Sequence, residues 1–237
     1  MNVVSAKASR APRAEGSSRT DEAFQRLRAD ILHGRLEPGS RLRVESLSKD
    51  YGVSSGVIRE ALPRLVGQGL AVAVPQQGVR VVSVDLEDLL QLTDAEVELE
   101  TLVLRRSLAE GTVEWESTVM AAHHRLSRLV LRDDDGSIND DWATAHNHFH
   151  MSILDGCTNR RLTGLAASLR DAGEVYRRWA DRPAAMTEQQ HVDNHRRICD
   201  LVVERNADAA VAELRQHIEL TTQLILAARA ADGPDAS

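Results

Sequence analysis

The stretch PGSRLRVESLSKDYGVSSGVIREALPRLVGQGLAVAVPQQG, Pro38–Gly78, decides the fold of this chain. Glu37-Pro38-Gly39 makes a turn, and a helix follows from about Val44 to Tyr51 with Leu47 on its inner face. Gly52 breaks that helix. Ser54 is a good N-cap for the next, which ends near Gly67 and turns Ile58, Ala61, Leu62 and Leu65 inward. Leu70 to Val74 and Val79 to Val84 are β-branched runs on either side of Pro75-Gln76-Gln77-Gly78, which reads as a hairpin. Upstream, Ala23, Leu27, Ile31 and Leu32 give Asp21–His33 one apolar stripe, and Gly34 stops it. Helices, a tight turn and a hairpin in this order are the layout of a winged helix-turn-helix, which lays one helix in the major groove of DNA.

Outward from this stretch, the chain has 237 residues, enough for two domains of ordinary size. Hydrophobic residues are 42% and aromatics only 3%, a bias that suits helices packed on helices rather than a β-sandwich. No apolar run approaches the roughly 18 residues of a membrane span. The N-terminus lacks the apolar segment of a secretory signal, so residues 1–17 read as a disordered tail. Cys157 and Cys199 make no disulfide framework and are expected as reduced thiols in a cytoplasmic protein. The net charge of −7 divides unevenly: +2 over residues 1–17, +3 over 18–83 and −12 over 84–237. Positive charge therefore sits at the end that would meet phosphates, and the acidic remainder is excluded as the main DNA surface.

After Val84 the pattern becomes a succession of amphipathic helices, read as 85–110, 114–132, 139–155, 160–180, 187–205 and 207–230, with a frayed tail from 231. The expected fold class is mainly α: a winged helix-turn-helix domain over 18–84 and an all-helical bundle over 85–230. Nine histidines is a high count. His146 and His150, spaced i and i+4, share the inward stripe of Trp142, Ala145, Phe149 and Ile153, while His148 points away. His195 falls on a stripe with Val192, Ile198 and Val202, and His217 lies between Leu214, Ile218 and Thr221. A single inward histidine is more often a hydrogen-bonded core residue. Four converging ones would each need a separate buried partner, so they point to a divalent transition metal, zinc or nickel first.

On the DNA side, Ser54, Ser55 and Gly56 give the third helix a small polar first turn, and Arg59 one turn on can reach a guanine edge or a phosphate. Gln76, Gln77 and Gly78 form a tip short enough for a minor groove, and Arg43 joins the candidate DNA contacts. The segment ILHGRLEPGSRLRVESLSKDYGVSSGVIREALPRLVGQGL resembles the N-terminal domain of the GntR family of bacterial transcription regulators over about residues 20–84. Arg59, Glu60, Ala61 and Leu62 match the family pattern. Ser55, Gly56 and Val57 stand where it has Arg, Thr and Pro, and Gln77 stands where the wing usually carries Arg. Two missing cations imply weaker and less salt-dependent DNA binding than the family norm. Pro63 also departs from the pattern; inside a helix it removes one hydrogen bond and costs about 3 kcal/mol or a kink.

The later segments DWATAHNHFHMSILDGCTNRRLTGL and NHRRICDLVVERNADAAVAELRQHI are similar to the all-helical, FCD-type domain of the FadR-like subgroup. That resemblance implies a metal held by one Asp and three His, with a small organic acid bound to it. His150, His195 and His217 match the three His positions, and His146 occupies the Asp position. Asn159 matches a family Asn and is expected as a helix cap. Four residues before Glu100, where the family carries an Arg for the effector carboxylate, this chain has Glu96. Glu96 is expected in the effector site, either joining the metal or meeting a cationic or hydroxyl group, with a solvated side chain as the alternative.

Together these residues lead to a homodimeric transcription regulator, expected to repress, that binds a palindromic double-stranded operator and answers to a small-molecule effector, with no membrane partner. A helical metalloenzyme with an accessory domain is a second reading, weakened because the His146/His150 helix lacks the Glu of an H-E-x-x-H motif. A purely structural metal is a third.

Overall fold

The computed structural model describes residues 18–179 and 188–232. The expected tail over 1–17, the punctuation at Pro183 and the last five residues lie outside the described part.

The N-terminal unit opens with α1 (Arg19–Leu32), started by a capping box in which Ser18 and Asp21 satisfy each other's backbone amides. α2 (Val44–Tyr51) ends at Gly52, whose φ of 66° closes the helix in the left-handed conformation that glycine alone adopts without strain. α3 (Ser55–Gly67) starts where the Ser54 hydroxyl accepts from the Val57 amide, as expected. β1 (Ala71–Val74) and β2 (Gly78–Val81) form an antiparallel wing with Val74 opposite Gly78. Leu27, Ile31, Ile58, Leu65, Leu70 and Val81 are sealed from water between the three helices and the wing.

α3 continues as α-helix through Pro63, which lies on its exposed face. The Arg59 carbonyl loses its intrahelical donor there, but water can reach that side, so the helix persists.

The second unit comprises α4 (Leu86–Glu110), α5 (Val113–Leu126), α6 (Asp140–Leu154), α7 (Arg160–Trp179), α8 (Glu188–Val203) and α9 (Ala207–Asp232). Its core gathers Val103, Leu104, Val119, Phe149, Ile153, Ile198, Val202 and Leu214. Asn159 caps α7 by accepting from the amides of Arg161 and Leu162. α9 runs to Asp232, slightly past the expected fraying at 231. α5 ends at Leu126, short of the expected 132. The chain from Ser127 folds back instead: Arg132 bridges Ile138 around a turn with Gly136 at φ 87°, and the Asn139 amide donates to the Leu131 carbonyl. This return buries Leu131 in the core, and that tertiary contact overrides the helical pattern.

α7 joins the two units. Val175 packs into the hydrophobic core of the N-terminal unit, and Asp171 on the same helix accepts a two-pronged ion pair from Arg28 of α1. Arg178 holds Asp140 at 2.8 Å, and Asp140 in turn meets Arg35 and His33 at the end of α1. Pro63→Ala restores the missing helix amide on an exposed face and is expected to stabilise the protein by about 1–3 kcal/mol, read as a raised denaturant midpoint at unchanged slope.

Candidate functional site

His146 and His150 project from α6, His195 from α8 and His217 from α9, and one ring nitrogen from each lies within 4.8 Å of all the others. Nitrogens held about 2.0–2.1 Å from one ion lie at most about 4.2 Å apart, so the rings would draw slightly closer together to hold one. The Nε2 atoms of His150 and His195 are 3.3 Å apart. His195 donates from Nδ1 to the His191 carbonyl at 2.6 Å, which fixes its tautomer and leaves the Nε2 lone pair facing the cluster. His146 stacks on Trp142, with ring centroids 4.7 Å apart and planes 15° from parallel. His146, His150 and His195 are buried, and His217 is partly so.

Burial, reinforced by the other imidazoles and by Arg170 and Arg177, holds the pKa of His146, His150 and His217 well below the ordinary value. Burial brings His195 down to about 3. The rings are therefore neutral, the form in which imidazole binds metal. Buried Nδ1 atoms of His146 and His150 have no hydrogen-bond partner. Converging neutral rings whose buried nitrogens lack full hydrogen bonding fit a transition metal that accepts nitrogen donors. The set contains no carboxylate.

A cavity adjoins the cluster, lined by His217 together with Glu96, Arg170, Gly173, Arg177 and Thr221. α4 supplies Glu96 and Glu100 one turn apart, and α7 supplies Arg170, Gly173, Glu174 and Arg177. Arg170 donates to both oxygens of Glu100 at 3.0 and 3.1 Å in a pair that is almost entirely dry. Arg177 donates to Glu174 at 2.8 Å. Glu96 is 7% exposed, so the solvated alternative is wrong; α4 turns it inward with Val97 and Glu100. Nor does it belong to the group of ligand atoms, which the four histidines make up without it. Burial, with the Glu100 carboxylate nearby, pushes the Glu96 pKa up to about 7.

At the other end of the molecule, Ser54, Gly56 and Arg59 are exposed at the start of α3, and Ser55 is half-buried. Gln77 and Gly78 sit at the exposed wing tip, and Arg43 stands exposed at the N-cap position of α2 with no side-chain capping bond. Gln76 takes a φ of 60°, a strained conformation for a residue with a side chain, and so sharpens the tip. Sequence reasoning passed over Arg41, which is exposed, bridges Arg80 across the wing and approaches Gly78. It also passed over Arg170 and Arg177. Their i, i+7 spacing around Gly173 would have shown them on one face, but arginines on a charged helix carry no mark of burial.

The sequence pattern of "Bacterial regulatory proteins, gntR family" matches residues 19–81, and that of the "FCD domain" matches residues 91–220. The HTH-type transcriptional regulator BphR of Paraburkholderia xenovorans (strain LB400) is 35% identical over 93% of this chain and 90% of its own length. The chain belongs to the GntR family. It is a DNA-binding transcriptional regulator of the subgroup with an FCD domain. The HTH-type transcriptional repressor GlaR of Escherichia coli (strain K12) is 33% identical over 83% of this chain and 91% of its own length. Among solved structures, E. coli McbR/YncC shares the fold with a TM-score of 0.76 at 18% identity, covering 89% of this chain and 98% of that one. Family and relatives are regulators, so the metalloenzyme alternative falls away. No helix among the described residues is long and apolar enough to cross a membrane.

Buried neutral histidines make the regulator acid-sensitive. Their folded pKa is lowered, so their contribution to stability is present above the unfolded value near 6.5 and is lost as pH falls below it. Protonation of these rings in the unfolded chain then draws the equilibrium toward unfolding. Glu96, Glu100 and Asp171, with raised folded pKa, work the other way, Glu96 up to about 7. The lowered imidazoles outnumber them. The unfolding midpoint of the metal-free regulator is expected to drop as pH goes from 6.5 to 5, and His150→Ala should flatten that drop.

Proposed function

We propose that this regulator is a cytoplasmic homodimer that represses by holding a palindromic operator, and that a metal and a small-molecule effector in its helical domain set its affinity for DNA. One observation carries the reading: a cluster of four imidazoles reaches, through His217, a cavity walled by α7, and α7 also contacts α1 of the DNA-binding unit.

On the DNA side, α3 enters the major groove. Ser54, Ser55 and Gly56 let its first turn approach phosphates and base edges, and Arg59 contacts a guanine or a phosphate. Arg43 neutralises phosphate, and Gln77 and Gly78 of the wing follow the adjacent minor groove. Two copies set two α3 helices about one DNA turn, about 34–36 Å, apart, which requires two inverted half-sites. The repressor name of GlaR agrees with the sign of regulation proposed here.

His146, His150, His195 and His217 hold the ion, zinc or nickel. Bound there, it would supply a Lewis-acid anchor for an oxygen of the effector. This chain's own residues do the rest. Arg170 and Arg177, each paired with a glutamate, and Glu96 present alternating charge to the cavity, and burial strengthens each electrostatic contact there. The opposite side of α7 carries Asp171 and Val175 into the DNA-binding unit. A ligand that moves Arg170 or Arg177 therefore displaces the Arg28–Asp171 contact, and effector binding and operator binding are linked reciprocally. A purely structural metal lacks this coupling.

Isothermal titration of the metal-free protein with zinc is expected to give about one ion per chain, and His150→Ala to weaken it by about tenfold or more. Capture of genomic fragments by the purified protein should return an inverted repeat. Arg59→Ala should lower affinity for that repeat by about 10- to 100-fold. Removing zinc with a chelator should change operator affinity in the wild type and leave Asp171→Asn much less affected. An operator affinity indifferent to zinc in the wild type would leave the metal with a structural role alone.

A further inference from the structure

Most polar side chains lining the cavity beside His217 have protein partners. Arg170 donates to Glu100 and to Asn147, and Arg177 donates to Glu174 and to the Arg170 carbonyl. The Thr221 hydroxyl donates to the His217 carbonyl, and the Thr222 hydroxyl meets Thr93 at 2.7 Å. Oε1 of Glu96 is buried and has no hydrogen-bond partner. It lies over Gly173, where an added Cβ would come within 2.6 Å of that oxygen and 3.4 Å of an Arg177 nitrogen. Gly173 has a helical backbone with no left-handed φ, so the glycine serves space rather than conformation. Together Glu96 and Gly173 keep one unpaired acceptor in a cavity that the candidate metal site adjoins.

A buried carboxylate oxygen without a donor is costly, by about 1–3 kcal/mol or more. The charges around it show what would relieve that cost. Arg170 and Arg177 pair directly with Glu100 and Glu174 and favour the Glu96 charge only from a distance, so Glu96 has no ion pair of its own among the described residues. A second carboxylate on the effector would face it with like charge. A hydroxyl or an ammonium would supply the missing donor.

We propose that Glu96 determines the effector class of this regulator: a small monocarboxylate that carries a hydroxyl or amine donor at its far end, rather than a dicarboxylate. The carboxylate of such a molecule turns toward the metal-holding histidines and the two arginines, and its donor meets Glu96 Oε1. This rests on the metal and effector reading above and specifies the ligand of that site.

The test uses three four-carbon probes that differ only at one end: succinate, 4-hydroxybutanoate and 4-aminobutanoate. Each is titrated calorimetrically into the zinc-loaded full-length protein. At least one donor-bearing probe is expected to bind about tenfold or more tightly than succinate, and which of the two leads separates hydroxyl from ammonium. Glu96→Gln removes the repelling charge at constant shape and should bring succinate to within about threefold of the better probe. Gly173→Ala, which keeps the helix and displaces the Glu96 tip, should narrow the preference in the same direction. In the metal-free protein, Glu96→Gln should raise the unfolding midpoint at pH 8, because an amide is cheaper to bury than an unpaired carboxylate. Succinate binding as tightly as the donor-bearing probes, or a preference that Glu96→Gln leaves unchanged, overturns the assignment of Glu96 while leaving the effector site standing. A lower midpoint for Glu96→Gln overturns it as well, since the carboxylate would then have a partner. If none of the probes binds a protein that holds zinc, the effector reading falls and this inference with it.

Discussion

Arg170 and Glu100 form an ion pair with almost no access to water, and the architecture of the helical domain turns on it. A buried pair of this kind is not in itself a large source of stability, because both ions lose their hydration. Losing one partner is costly, since it strands the other. The pair thus fixes α7 against α4 in one register. From that register follow the position of Arg177, the room that Gly173 leaves for Glu96, and the cavity beside His217. The next residue along, Asp171, faces the other way and holds Arg28 of the DNA-binding unit. Two adjacent residues on one helix therefore face the candidate effector site and the DNA reader.

The histidine cluster obeys a complementary constraint. Converging imidazoles repel one another if protonated, and burial raises that cost further, so the rings stay neutral. The His191 carbonyl decides which nitrogen of His195 faces the centre. With His146 in place of a carboxylate, a divalent ion here would keep its full charge. That charge meets a neighbourhood in which Glu96, Glu100 and Glu174 stand against Arg170 and Arg177.

Much of this was legible in the sequence, and the reasons differ by element. Ser54, Gly52 and the hairpin residues act locally, through caps and left-handed turns, so the winged helix-turn-helix could be read from adjacent residues. The i, i+4 spacing of His146 and His150 and the apolar neighbours of His195 and His217 revealed an inward face in three helices. The end of α5 was not legible. Residues beyond Leu126 continue a helical pattern, and only burial of Leu131 against the finished core bends them away. Glu96 was recognised as a departure in a site position, but its burial was not, because a carboxylate has no apolar signature and α4 also carries exposed charges such as Glu98.

The sequence by itself determined the kind of molecule: a basic reader of DNA joined to an acidic helical domain with an inward set of histidines. Caps, periodicity and charge are properties of neighbours along the chain, and they survive without knowledge of the fold. Tertiary structure alone decided that four imidazoles from three helices meet within 4.8 Å, that Arg170 is spent on Glu100, and that Glu96 Oε1 has no hydrogen-bond donor among the described residues. Whether a charged side chain is solvated, paired or stranded depends on what distant segments bring to it, and no local pattern along the chain records that.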